Sequence, residues 1–204
     1  MSGFNAKKRV KITNQLRVEI EQIINQIQAI PETSGLKLRQ VTELITLPKG
    51  HILFEANKIG RHVYFIKKGI VRAYLFQHDT EVTFWFGREG DTIISMKNYV
   101  ENKPAYESIE LIEECVLYRI RNSDLQKLFT EDIHIANWGR RFAETELIKT
   151  EERLISRQFS MATDRYKALL TNSPDLIQRV QLCHIASYLG ITQVSLSRIR
   201  SEIR

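Results

Sequence analysis

The chain has 204 residues, of which 43% are hydrophobic and 26% charged, and its formal net charge is +6. This is an ordinary globular composition, and the basic balance suits a polyanionic partner without identifying one. No apolar run is long enough to span a bilayer and the N-terminus lacks a signal-peptide pattern, so we expect a cytoplasmic protein without a membrane partner. Cys115 and Cys183 are too few to hold an iron–sulfur cluster, and we expect both to be buried.

An amphipathic helix is predicted near the N-terminus, up to about residue 30, because Ile20, Ile23, Ile24 and Ile27 fall at helical spacing. The basic run at residues 7–11 precedes this helix. We interpret that run as a solvated arm rather than a DNA contact. Residues 31–35 contain Pro and Gly and are predicted to break the helix.

From about residue 36 to residue 121 the pattern changes to short runs rich in Ile, Val, Phe, Tyr and Leu. Glycines such as Gly50, Gly69 and Gly90 punctuate these runs. Many short strands at close spacing predict an antiparallel sandwich or barrel. The predicted strands cover residues 43–47, 52–55, 62–67, 70–76, 82–86, 108–113 and 115–121.

One long helix is predicted from about residue 133 to residue 159, after the N-cap cluster at residues 122–124 and a return to helical period. Its apolar stripe must be buried, either on the chain's own barrel or against the same helix of a second copy. We expect both contacts, on different faces of the helix. The residues assigned to the dimer helix are Trp138, Phe142, Leu147, Leu154 and Ile155.

The C-terminal segment from residue 181 to residue 200 has a helix-turn-helix pattern. Ala186 is small enough for close helix crossing, Gly190 suits a left-handed helix end, and Leu196 and Ile199 are predicted to turn inward. Thr192 is predicted to cap the second helix. A short helix with outward hydroxyl, amide and guanidinium groups can enter a major groove. The residues predicted to bind DNA are Thr192, Gln193, Ser195, Ser197, Arg198 and Arg200.

These C-terminal residues resemble the Crp/Fnr family, the relatives of catabolite activator protein. Residues 185–192 (IASYLGIT) and 196–200 (LSRIR) are similar to the compact members found in the Bacteroidetes, and residues 164–170 (DRYKALL) resemble the helix that opens the DNA-binding domain. Upstream, residues 47–54 (LPKGHILF) and 63–72 (VYFIKKGIVR) resemble the opening strands of the family's cyclic-nucleotide-binding fold.

The resemblance implies an α+β fold in three parts. Residues 1–130 form an N-terminal helix and a cyclic-nucleotide-binding-type antiparallel β-barrel (jelly roll), residues 131–160 the dimerisation helix, and residues 161–204 the helix-turn-helix domain. The implied function is that of a transcription regulator that binds double-stranded DNA as a homodimer on a pseudo-palindromic operator. RNA polymerase is a further implied partner.

The sensor pocket departs from the family pattern. In nucleotide-binding members an Arg pairs with the cyclic phosphate, whereas this chain has Ala105 at the matching place and a negative charge at Glu107. Asp91 follows Gly90 where Glu is usual. We therefore do not expect cAMP to bind in the usual way; no cofactor is certain, and any effector is an unidentified small molecule. The predicted pocket residues are Gly90, Asp91, Ala105, Tyr106, Glu107 and Ser108.

The recognition helix departs as well, because Val194 stands where relatives often carry Glu, and a different DNA target is expected. An alternative interpretation is a small-molecule-binding regulatory module whose helix-turn-helix is only a packing element. We do not expect an enzyme or a metal site, because the five histidines are scattered and none joins Asp, Glu or Cys in a catalytic or ligand spacing.

Overall fold

The computed structural model describes residues 19–78 and 80–203, so the predicted basic arm at residues 7–11 lies outside the described residues. The strands are β1 Glu43–Leu47, β2 Ile52–Phe54, β3 His62–Lys68, β4 Val71–Gln77, β5 Thr80–Gly87, β6 Thr92–Ile93, β7 Ser108–Leu111 and β8 Cys115–Arg121. The helices are α1 Ile20–Ile27, α2 Glu32–Gln40, α3 Met96–Glu101, α4 Asn122–Glu131, α5 Ile133–Phe159, α6 Ala162–Asn172, α7 Pro174–Arg179, α8 Leu182–Leu189 and α9 Gln193–Glu202.

The strands form two four-stranded antiparallel sheets, in the orders β1-β8-β3-β6 and β2-β7-β4-β5. The predicted jelly roll is confirmed as two packed sheets rather than one closed barrel. Apolar residues from both sheets meet in a common core, including Ile66 and Leu117 of the first sheet and Val71 and Leu111 of the second, all fully buried. The alternation of inward and outward side chains along each strand produces this core.

A second core lies between the first sheet and the helices α1, α4 and α5. Trp138 of α5 is 2% exposed, contacts Phe65 and donates a hydrogen bond from Nε1 to the Ile24 carbonyl at 3.0 Å. Trp138 therefore packs in the core of its own protomer, whereas the sequence analysis assigned it to the dimer contacts. Phe142 stacks on Trp138 with ring centroids 5.9 Å apart, so this end of the apolar stripe packs within the protomer.

The long helix α5 has the predicted bounds, and its start is fixed by Asp132. The Asp132 carboxylate accepts hydrogen bonds from the N–H groups of His134 and Ile135 and from the Ser34 hydroxyl, and it pairs with Lys37 at 2.7 Å. The Lys37 ammonium, with the Ser34 hydroxyl and the two N–H groups, lowers the pKa of Asp132 to about 2. Asp132 therefore ties α2 to the first turn of α5.

Three sequence predictions differ from the structure. The first helix ends at Ile27 rather than near residue 30, and the predicted break at residues 31–35 is wrong, because α2 starts directly after Pro31 and continues through Gly35. Pro31 supplies a fixed φ that suits a helix start, so it begins a helix here instead of interrupting one. Cys115 is buried as expected, but Cys183 is exposed on α8.

The four C-terminal helices share a third core around Ile185, Ala186, Leu196 and Ile199. Gly190 has a φ of +68°, the left-handed conformation predicted for the end of the first helix of the motif. The Thr192 side chain accepts a hydrogen bond from the Ser195 N–H at 3.1 Å, so the predicted cap of α9 is confirmed. The C-terminal segment is therefore a helix-turn-helix.

Candidate effector pocket and nucleic-acid interface

The outer face of α9 presents the residues that were predicted to read DNA. Gln193, Ser197 and Arg198 are exposed, and Val194 beside them is 64% exposed. Leu196 and Ile199 face the core, which fixes the direction of this surface. The helix therefore offers an amide, a hydroxyl, a guanidinium group and one apolar side chain on a single accessible face.

Three of the predicted DNA-binding residues have other contacts within the motif. Thr192 and Ser195 share a hydrogen bond between their hydroxyls at 2.9 Å, and the Ser197 hydroxyl donates to the Gln193 carbonyl at 3.0 Å. Arg200 is only partly exposed. Gln193 and Arg198 are the long side chains whose polar ends remain available at this surface.

The predicted pocket residues do not all come together. Tyr106 and Glu107 line a large cavity, whereas Gly90, Asp91, Ala105 and Ser108 are not among its lining residues. The Ser108 hydroxyl accepts from the Ala56 N–H at 3.0 Å, and the Asp91 carboxylate accepts from the Arg88 N–H at 2.9 Å. Burial raises the pKa of Asp91. Asp91 thus stabilises its own turn, and Ser108 ties β7 to the residues that follow β2.

The cavity has a volume of about 830 Å³ and is lined by residues of both sheets, α3, α4 and α5. Its walls are mostly apolar, and its size is in the range of sites for small molecules. Two of its apolar lining residues on α5, Leu147 and Leu154, are 61% and 63% exposed. The aromatic lining residues are Phe84, Trp85, Tyr99, Tyr106, Phe129, Trp138 and Phe142.

The helix-turn-helix contacts the sensor domain directly through α8. The Ser187 hydroxyl accepts from the Thr83 N–H at 2.9 Å and donates to the Glu81 carbonyl at 3.0 Å. The Tyr188 ring lies against Phe86 of β5 with centroids 5.2 Å apart. The helix-turn-helix therefore packs on β5, of which Phe84 and Trp85 line the cavity.

A second contact between the two parts is an ionic cluster centred on Arg179 of α7. Its guanidinium donates to Glu89 at 2.7 and 3.0 Å and also pairs with Glu113. Burial acts to raise the pKa of Glu89, but hydrogen bonds from Arg179 and the Gly69 N–H lower it overall. Because these bonds are charge-assisted and partly buried, they are stronger than ordinary surface pairs.

Sequence reasoning missed both the interdomain contacts and most of the cavity wall. Ser187 and Arg179 have no local pattern that indicates a distant partner. The run Phe84-Trp85-Phe86 was a usable signal, because an apolar residue on both faces of one strand indicates that neither face is open to solvent. The structure uses Phe84 and Trp85 in the cavity and Phe86 against α8.

Among the described helices, none is long and apolar enough to cross a membrane. The family profile of the cyclic nucleotide-binding domain matches residues 44–132. A comparison with curated protein sequences finds no match.

Solved structures share the fold over most of the chain. FixK2 from Bradyrhizobium japonicum is 20% identical with a TM-score of 0.66, over 80% of this chain and 84% of its own. The c-di-GMP-responsive global regulator CLP from Xanthomonas campestris is 17% identical with a TM-score of 0.63, over 85% and 91%. The catabolite activator protein from Thermus thermophilus is 18% identical with a TM-score of 0.54, over 86% and 84%. The chain therefore contains a cyclic nucleotide-binding domain and has the fold of a Crp/Fnr-type regulator.

Proposed function

We propose that this chain is a DNA-binding transcription regulator of the Crp/Fnr type, which acts as a homodimer on a pseudo-palindromic operator. The observation that carries the proposal is the exposed face of α9, with Gln193, Val194 and Arg198 accessible on a capped helix of a helix-turn-helix. An amide and a guanidinium group can bond to base edges, and an apolar side chain can contact the thymine methyl group. Val194 stands where relatives often carry Glu, which supports an operator sequence different from theirs.

The homodimer is supported by the second half of α5. Its apolar side chains are mostly uncovered in the described part of the chain: Leu147, Ile148, Leu154, Ile155 and Phe159 are 53–75% exposed. Two of these pairs, Leu147–Leu154 and Ile148–Ile155, are one heptad apart, the spacing of a parallel helix pair. A two-fold dimer presents two recognition helices about 34 Å apart, and so demands half-sites about 10 bp apart.

The test is selection from a random DNA pool, followed by titration of the recovered sequence at several salt concentrations. We expect a two-fold-symmetric motif. The Arg198→Ala variant should bind about 1–3 kcal/mol more weakly, with relaxed preference at one position per half-site if Arg198 reads a base. If Arg198 instead holds a phosphate, the loss should be equal for all sequences and the salt slope should fall by about 1 per contact. Arg121→Ala removes the same charge from an exposed residue of the sensor domain and serves as control.

A second candidate function is a small-molecule-binding module whose helix-turn-helix serves only for packing. The contact of Ser187 and Tyr188 with β5 favours it, because these helices already have a structural role. Failure to recover any symmetric motif, with or without cell extract as an effector source, would favour this candidate. RNA polymerase as a partner, a cytoplasmic location and a regulatory rather than catalytic role remain parts of the main proposal.

A further inference from the structure

The side chain of Glu107 is buried, and one of its two carboxylate oxygens has no partner in the described part of the chain. It is 4% exposed, and its Oε2 atom has neither a hydrogen-bond partner nor an ion pair among residues 19–78 and 80–203. A buried carboxylate oxygen without a partner costs free energy, because it has lost its hydrogen bonds to water and gained none in return. Glu107 also lines the cavity, so a ligand can supply the missing partner.

The surroundings of Glu107 favour one kind of ligand. On the sheet side the cavity wall is apolar at Ala73, Trp85 and Ile109, and Thr92 adds a buried hydroxyl oxygen that also lacks a partner among the described residues. The phenol groups of Tyr99 and Tyr106 line the wall as well. Opposite them, α5 contributes the polar lining residues Glu146, Thr150, Arg153 and Arg157.

We propose that this cavity binds an apolar small molecule carrying an amine, whose ammonium group pairs with Glu107 while its apolar body lies against Ala73, Trp85 and Ile109. This inference rests on the proposed function, since it names the effector class of the sensor domain. An ammonium group donates up to three hydrogen bonds and carries the charge opposite to that of the Glu107 carboxylate. The Glu107 carboxylate repels an anionic group placed beside it, although Arg153 and Arg157 also line the cavity, and an uncharged ligand leaves Glu107 Oε2 without a charged partner.

Tryptophan fluorescence gives a direct readout of binding. The chain contains two tryptophans, Trp85 and Trp138, and both line the cavity. The purified full chain is titrated with n-decylamine, n-decanol and n-decanoate below their micelle concentrations. We expect the amine to bind at least about tenfold more tightly than the alcohol, which is the effect of one charge-assisted hydrogen bond, and the carboxylate to bind weakest. This order of the three affinities is measured on the wild-type protein alone.

Two variants test the role of Glu107 itself. Glu107→Gln keeps the shape of the side chain and removes its charge, so the amine should lose about tenfold or more in affinity while the alcohol is unchanged. Glu101→Gln makes the same change at an exposed residue of α3 and should leave all three affinities unaltered. Circular dichroism shows whether each variant is folded.

Three results would overturn the inference: an amine that binds no more tightly than the alcohol, a Glu107→Gln variant that binds the amine as the wild type does, or no binding of any of the three ligands. The DNA selection is run in parallel. If the selection recovers an operator but the protein does not prefer the amine, only this inference is refuted. If the protein prefers the amine but no operator is recovered, the proposed regulator is refuted and a ligand-binding module remains.

Discussion

Replacing Leu154 by Glu is the sharpest test of the proposed dimer. Leu154 is 63% exposed on the second half of α5. Fully burying a leucine side chain stabilises by about 1.5–3 kcal/mol, so covering its exposed fraction contributes about 1–2 kcal/mol, and about 2–4 kcal/mol when both copies are counted. The dissociation constant of the dimer should therefore rise about 30- to 1,000-fold, and further if the two glutamates remain unpaired in the interface.

Sedimentation velocity over a micromolar concentration range measures this change. Leu44→Glu is a matched control, because Leu44 is 56% exposed on β1 and lies outside α5. Ile155→Glu should act as Leu154→Glu does, although Ile155 does not line the cavity. A wild-type protein that stays monomeric at micromolar concentration would refute the reasoning, and so would a Leu44 variant that weakens the dimer equally.

Three further predictions concern the pocket, the acid stability and the ionic cluster. Calorimetry should give dissociation constants for cAMP and cGMP well above about a micromolar, because Ala105 cannot pair with a phosphate; a value at or below that limit contradicts the prediction. The depressed pKa of Asp132 means that its stabilisation is present above about pH 4 and is lost as the pH falls towards 2, so urea unfolding of Asp132→Asn should lack this part of the acid dependence. Arg179→Ala should lower the free energy of unfolding by about 1.5–3 kcal/mol. Arg39→Ala, which removes an exposed pair with Glu21, should cost less than about 1 kcal/mol, and equal losses would argue against the cluster.

The sequence was sufficient wherever local chemistry decides the structure. The left-handed turn at Gly190 and the cap at Thr192 follow from residues that act on their own backbone, and the start of α5 near Ile133 was predicted from its helical period. The strands were found for the same reason, since short runs rich in β-branched and aromatic residues between glycines are a local pattern. The two-residue strand β6 and the short helix α3 were missed because neither is long enough to show a period.

The sequence was insufficient where a distant partner decides the role of a residue. Trp138 fits a dimer stripe by spacing, yet its indole bonds to the backbone of α1. Asp91 and Ala105 were assigned to a ligand by family position, whereas the structure has Asp91 bonded to its own turn and Ala105 outside the cavity wall. The unpartnered state of Glu107 depends on all of its neighbours and no sequence pattern indicates it.

The position of Ser187 restricts how far the helix-turn-helix can move away from the sensor domain. β5 ends its sheet, with a strand neighbour only on the β4 side in the described chain, and the Ser187 hydroxyl satisfies the Thr83 N–H and the Glu81 carbonyl on its other side. An uncovered strand edge is a template for pairing with another chain. Any rearrangement that lifts α8 from β5 therefore exposes an aggregation-prone edge, so the sensor domain separated from its C-terminal helices should self-associate through β5.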